Sequence, residues 1–140
     1  MQTNILDWLE ATSARYPDAP AVGDDQTDYT WAQLADTARR AGSFLASRTM
    51  PRRPVAFYLE KSVSAFAAML GTVYAGCCYS VLDTRQPAAR TLQVLDTLTP
   101  ALLVTDEAHA AAVAALGYSG QIIRLDDLLA APADAALLAA

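Results

Sequence analysis

The chain has 140 residues, 54% of them hydrophobic, and its ten basic and fifteen acidic side chains give a net charge of −5. That is the length of one ordinary domain with enough apolar material for a core, and charge scattered along the chain leaves no basic footprint for a nucleic-acid backbone or an anionic membrane. The start, MQTNILDWLEATSARYP, has neither a basic n-region nor an apolar h-region, and no stretch approaches the ~18 apolar residues of a membrane span, so the chain reads as cytoplasmic. Cys77 and Cys78 are the only cysteines. Neighbours in a strand point to opposite faces, which argues against a mutual disulfide or a shared metal.

In chain order, NILDWLEATSARYP places Ile5, Trp8, Leu9, Thr12 and Tyr16 on one helical face, with Asn4 as cap and Pro17 as stop. AVGDDQTDYT, with apolar pieces around Val22 and Tyr29 either side of a Gly-Asp-Asp-Gln cluster, predicts a small hairpin. Thr30 and Gln33 then match a capping box. The helix that follows packs Leu34, Ala38, Ala41 and Leu45 on one face and wets Asp36, Arg39, Arg40 and Ser43 on the other.

From Pro54 short apolar strands alternate with helices: PVAFYL, SVSAFAAMLGTVYAG, CCYSVLD, QPAARTLQVLDTLTP, ALLVTD, EAHAAAVAALG and QIIRL. This rhythm predicts an α/β domain with an open, mainly parallel sheet and helices on both faces, preceded by the first helix and the hairpin. The helix from about Ser64 to Ala75 has almost no polar face and is expected between layers, with Gly76 as its C-terminal cap. Pro87 suits a first helical turn, Asp106 a cap, and Gly117 a helix end. The alanine-rich tail, about 126–140, is expected to fray in part.

Several residues invite a functional reading. Gly71 and Gly76 have the outer spacing of a phosphate loop, but Cys77 and Cys78 stand where Lys and Ser/Thr should follow, and the segment reads as helix, so both glycines read as packing or capping residues. The two cysteines read as an inert core pair, since a reactive thiol needs a nearby base or positive charge and the one histidine, His109, lies on a predicted alanine-rich helix that the sequence does not place beside them. Ser80, Asp83 and His109 could be assembled into a triad on paper, yet no nucleophile elbow surrounds the serine. Glu60, Asp83 and Asp106 fall at strand carboxyl ends, where open parallel sheets bind ligands. They fit a receiver-like magnesium pocket poorly, with one acid in YLEKS and Arg124 inside the strand IIRLDD, and Asp83 reads more simply as a turn starter and Asp106 as a helix cap.

Taken together, WLEATSARYPDAPAV (Trp8 to Val22), YTWAQL (Tyr29 to Leu34) and the long run from VAFYLEKS to ALLVTD resemble the N-terminal portion of the AMP-forming adenylate ligases. The resemblance is above all to the amino-acid adenylation domains of nonribosomal peptide synthesis and the related D-alanine carrier-protein ligases. YTWAQL resembles that family's first core motif, with Gln33 in place of its usual glutamate. Ala75, Gly76, Tyr79, Leu82, Asp83, Pro87 and Arg90 resemble the second and its continuation, while Ser80, Val81 and Thr84 depart from the common valine and prolines.

The resemblance covers nearly the whole chain and implies a buried helix, a tight glycine exit and a central strand leading to a turn, with Cys77 and Cys78 where small residues are common. It also implies what is missing. The Thr/Ser-Gly-rich loop ending in Pro-Lys, the ribose-binding aspartate, the magnesium acids, the amino-acid pocket and the C-terminal lysine of such enzymes do not occur between Met1 and Ala140. No catalytic, cofactor-binding or metal residue is therefore assigned. Residues 1–140 are expected to be one N-terminal subdomain, a partial adenylation domain that is inactive alone, whether an excised piece, a truncated product or part of a split enzyme. ATP and Mg2+ would serve the parent enzyme, a carrier protein would receive its product, and the expected partners are the remainder of the domain or a second copy. The competing expectation is a non-catalytic interaction domain that docks such a partner.

Overall fold

The computed structural model describes residues 4–138. The first helix, α1 (Ile5–Arg15), is started by Asn4, whose Oδ1 accepts hydrogen bonds from the Leu6 and Asp7 amides at 2.7 and 3.3 Å. Its expected apolar face is only partly used: Leu9 is buried, whereas Ile5, Trp8 and Tyr16 are exposed. Strands β1 (Pro20–Gly23) and β2 (Asp28–Thr30) form the antiparallel hairpin. Asp24 closes its turn, accepting from the Gln26 and Thr27 amides at 2.8 Å each. Its other carboxylate oxygen accepts from the Val63 amide at 2.8 Å, which fastens the hairpin to a later helix.

Helix α2 (Trp31–Arg48) opens with the capping box of Thr30 and Gln33. Its packed face is as expected, but its wet face needs correction at two positions. Ser43 is buried, donating to the Arg39 carbonyl at 2.8 Å and accepting from the Asp134 amide at 2.8 Å. Arg39 is half-buried in an ion pair with Glu10 of α1.

The remaining elements make a parallel α/β unit. Strands β3 (Pro54–Tyr58), β4 (Cys78–Val81), β5 (Leu102–Thr105) and β6 (Ile122–Arg124) form one sheet in the order β4-β3-β5-β6. Helix α3 (Val63–Tyr74) connects β3 to β4, α4 (Ala88–Leu98) connects β4 to β5, and a 3₁₀ turn (Glu107–His109) with α5 (Ala110–Ala115) connects β5 to β6. Helices α6 (Leu125–Ala130) and α7 (Ala135–Leu138) follow. Pro87 stands one residue before α4.

Two apolar layers sandwich the sheet. On one face Val55, Phe57, Leu102 and Val104 pack against α2, α3 and α6 through Ala41, Leu45, Ala65, Ala68 and Leu128. On the other, Ala56, Tyr58 and Leu103 meet Leu95 of α4 and Val113 and Leu116 around α5. A third cluster joins α1 and the hairpin to the outer side of α2 and α3 through Leu9, Leu34, Ala38, Ala67 and Leu70. Helix α3 thus lies between layers, as its nearly all-apolar sequence predicts. Helix α6 places Leu125 and Leu128 in the core.

The phosphate-loop spacing of Gly71 and Gly76 resolves into packing. A Cβ at Gly71 would lie 2.6 Å from the Ala41 Cβ and 2.7 Å from the Ala38 carbonyl oxygen, so α2 and α3 touch there backbone to backbone. Gly76 has φ +77°, and the amides of Gly76 and Cys77 donate to the carbonyls of Val73 and Thr72. That is a Schellman ending, which favours glycine at its left-handed position. Beyond it the cysteines part: Cys77 is buried, and Cys78 is exposed rather than a second core thiol. The reason is topological. Among the described residues β4 lies at an edge of the sheet, with β3 as its one neighbour. No helix among the described residues is long and apolar enough to cross a membrane.

Candidate functional site

Strand order decides where a ligand would be sought. Because β3 has β4 on one side and β5 on the other, α3 leaves β3 over one face and α5 leaves β5 over the opposite face, opening a crevice between their carboxyl ends. Glu60, Asp106 and His109 meet there. Asp106 Oδ1 accepts from the His109 amide at 2.9 Å, capping the 3₁₀ turn, and lies 2.6 Å from His109 Nδ1. Its Oδ2 accepts from the Glu60 amide at 3.1 Å. On the far side of the ring, His109 Nε2 is 3.4 Å from Glu60 Oε1.

Two residues that the sequence reading passed over complete the arrangement. The Tyr58 ring meets His109 edge to face at 5.9 Å between centroids, and its hydroxyl donates to the Thr84 carbonyl at 3.4 Å. Thr105, fully buried, donates through Oγ1 to the Tyr58 carbonyl at 2.8 Å. A tyrosine and a threonine closing the apolar strands PVAFY and LLVT are the available hint, since a polar tip at the end of a buried strand needs a partner. Farther out, Arg124 and Glu107 pair across β6 and the 3₁₀ turn.

Asp83 does not join this group. Its carboxylate accepts from the Arg85 amide at 2.9 Å and the Arg85 guanidinium at 3.2 Å. Those bonds, with the charge of Arg85 and of Lys61, hold it below the usual carboxylate range. It borders an open cleft of about 550 Å³ between the ends of β3 and β4, rimmed by Glu60, Lys61, Thr84 and Arg85. Ser80 lies inside β4 and His109 beyond β5, two strand spacings or about 10 Å apart across the sheet, so the paper triad is not assembled. His109 is also at the opposite end of the parallel strands from Cys77 and Cys78, and burial pushes the Cys77 thiol up.

The chemistry available here is therefore that of a clasp. Asp106 is committed to two amides and an imidazole and Asp83 to its own turn, and among the described residues of the crevice no nucleophile is hydrogen-bonded to a free base. Among the described residues no group of three or more His, Cys, Asp or Glu side chains is placed to hold a metal ion.

A second polar cluster lies outside the crevice, where Glu10 of α1 accepts from Arg39 Nη2 at 2.8 Å and from the Tyr74 hydroxyl of α3. Burial raises the Glu10 carboxyl, but the bonds from Tyr74 and Arg39 and the arginine charge outweigh it and hold the group low. Burial and the Glu10 carboxylate push the Tyr74 phenol up. This cluster ties three helices together.

Residues 9–137 match the family described as AMP-binding enzyme. Among curated proteins, the isonitrile lipopeptide synthase of Streptomyces coeruleorubidus is 35% identical over 108 residues, covering 76% of this chain and 7% of that one. Among solved structures, the nonribosomal peptide synthetase FmoA3 in its AMPPNP-bound form superposes with a TM-score of 0.81 at 26% identity, covering 90% of this chain and 14% of the other. The N-terminal domain of FACL13 from Mycobacterium tuberculosis superposes with a TM-score of 0.84 at 20% identity, over 95% of this chain and 37% of that one, a likeness of fold. The chain spans a small part of each.

Proposed function

This chain belongs to the AMP-binding enzyme family, as an N-terminal fragment of an adenylation domain of the nonribosomal peptide synthetase type, and from that membership we propose that it is the structural first part of an amino-acid-activating ligase. The parent enzyme would join a carboxylate to ATP, releasing pyrophosphate and forming an acyl-adenylate. A carrier-protein thiol would then take the acyl group as a thioester and release AMP. The observation that carries this reading is the match over residues 9–137, which spans both YTWAQL and the GCCYSVLD segment in order. AMPPNP bound to the similar FmoA3 supports ATP as the nucleotide, with Mg2+ as its counter-ion.

In this reading residues 1–140 supply a scaffold and no catalytic group. Stabilising a transferring group needs preorganised donors around it, and the strand-end polar groups are already paired with one another. The chain alone should give no amino-acid-dependent pyrophosphate exchange with ATP and no saturable micromolar binding of magnesium-ATP by calorimetry. Exchange reproducibly above a no-protein control would overturn the inactive-scaffold reading. The ligase reading itself is tested by the coding sequence beyond Ala140 and in the neighbouring gene. A Thr/Ser-Gly-rich loop ending in Pro-Lys is expected in one of them, and its absence from both would refute it.

A further inference from the structure

Both ring nitrogens of His109 face carboxylate oxygens, and a neutral imidazole has one N–H to offer them. Nδ1 lies 2.6 Å from Asp106 Oδ1, and Nε2 lies 3.4 Å from Glu60 Oε1. The first contact fixes the tautomer. Asp106 already accepts from the His109 amide on Oδ1 and from the Glu60 amide on Oδ2, so a bare Nδ1 would set two lone pairs against each other at 2.6 Å. Nδ1 therefore carries the proton of the neutral ring, and Nε2 then turns a lone pair toward Glu60. Only the cationic ring, with a proton on each nitrogen, satisfies both carboxylates.

The two acids differ in freedom. The His109 and Asp106 side chains are 18% and 23% exposed, whereas that of Glu60 is 70% exposed, so Glu60 is the member that can move. Its charge also reaches Arg85, in the turn after β4: hydrogen bonding and charge from Asp83, with Glu60 behind them, raise the Arg85 guanidinium. Lys61 follows Glu60 in the chain, and Glu60, Lys61, Asp83 and Arg85 all border the open cleft between the ends of β3 and β4. Glu60 thus stands between two cationic neighbourhoods, the ring on the β5 side and Lys61 with Arg85 on the β4 side. Of the other groups around the ring, Tyr58 of β3 presents a ring edge and gives its hydroxyl to the Thr84 carbonyl. Thr105 of β5 gives its own to the Tyr58 carbonyl, α5 adds only alanine and valine, and Arg124 of β6 is paired with Glu107.

We propose that His109 is a proton-operated latch for Glu60. With the ring protonated, Glu60 pairs with Nε2 and joins the loop after β3 to the 3₁₀ turn after β5. When Nε2 gives its proton to solvent, its lone pair repels the carboxylate, the Asp106 bonds stay, and Glu60 turns toward Lys61 and Arg85. The cleft rim then gains one acid beside Asp83 and loses one unit of positive charge. Histidine is the side chain whose charge changes between about pH 5 and 8, so the latch is closed at the acid end of that window and opens as pH rises. Every contact of the latch lies between Tyr58 and His109. It belongs to the chain itself and is independent of the ligase reading.

The test is an NMR titration of the full chain from about pH 5 to 8, with its one histidine as the reporter of protonation. Long-range proton–nitrogen spectra at the basic end should show the ring proton on Nδ1. The guanidinium resonances of Arg85 should shift in step with the ring. His109→Asn, which keeps a donor near the Nδ1 position and cannot titrate, should abolish that shift. Glu60→Gln should also abolish it while the ring still titrates. Far-UV circular dichroism checks that each variant folds, and Glu60→Gln, a change in an exposed side chain, carries the test if His109→Asn does not fold. A neutral ring protonated on Nε2 would overturn the proposal. So would a ring that titrates with no response at Arg85, or a response that survives Glu60→Gln.

Discussion

Gly71→Ala isolates the contact between α2 and α3, because two opposing effects are both large enough to measure. Alanine favours a helix interior over glycine by about 1 kcal/mol, so an exposed site would gain stability. At Gly71 the added methyl would sit 2.6 Å from the Ala41 Cβ, 2.7 Å from the Ala38 carbonyl oxygen and 2.8 Å from the Gly42 amide nitrogen. Ordinary contacts start about 0.8 Å farther out, and two of these neighbours are backbone atoms that no rotamer change can move. Helices already pressed together through Ala38, Ala41 and Gly42 would have to separate, at the upper end of the ~1–3 kcal/mol range for overpacking. Subtracting the propensity gain leaves a net loss of about 2 kcal/mol, or roughly 6–10 °C in Tm for a chain of this size. Urea titration followed by far-UV circular dichroism measures it. Adding Ala41→Gly should return at least ~1 kcal/mol as a coupling energy, since it removes the nearest clash. Gly117→Ala is the contrasting control: with no atom within 4 Å and φ +76°, it should cost only the left-handed penalty of ~1–2 kcal/mol. A Gly71→Ala variant as stable as the parent, or one with no coupling to position 41, would refute the close-crossing account.

The Glu10 carboxylate is held low in the folded state, so its stabilising share is present at neutral pH and disappears as pH falls through that depressed value. Glu10→Gln should therefore cost about 0.5–1 kcal/mol near pH 7, a figure discounted for the half-exposed pair, and nothing in strong acid. A loss constant across a pH series of denaturation curves would refute it. For the thiols, Cys78 should react with a disulfide reagent in the native protein and buried Cys77 only on unfolding. Cys77→Ala should cost on the order of 1 kcal/mol and Cys78→Ala less. Equal labelling rates for the two thiols would contradict the edge position of β4.

Features set by neighbours in sequence were readable, and those set by neighbours in space were not. Asn4, the Thr30–Gln33 box, the Asp106 cap and the Gly76 exit each depend on a few adjacent residues, and each is found where local chemistry put it. The strand–helix alternation foretold a parallel sheet, and the apolar run of α3 foretold its place between layers. Ser43 looked wet because its cover, the Asp134 amide, arrives from 91 residues away. Cys78 looked buried because alternating strands and helices do not reveal which strand lies at an edge.

The strand-end acids illustrate the same divide at the candidate site. Their position was legible, since Asp83 and Asp106 follow apolar strands. Their availability depends on who meets them. Asp83 is drawn into its own turn by Arg85, two residues on, whereas Asp106 also receives the Glu60 amide, 46 residues away, because β3 and β5 are neighbours in the sheet. A carboxylate bound to two amides and an imidazole would have to give up those bonds to take a ligand. Breaking the Glu60 contact would also remove one of the bonds that join the ends of β3 and β5, leaving the Thr105 hydroxyl on the Tyr58 carbonyl and His109 beside Glu60 to hold them, so the acid best placed for chemistry is also part of the joint between the strands.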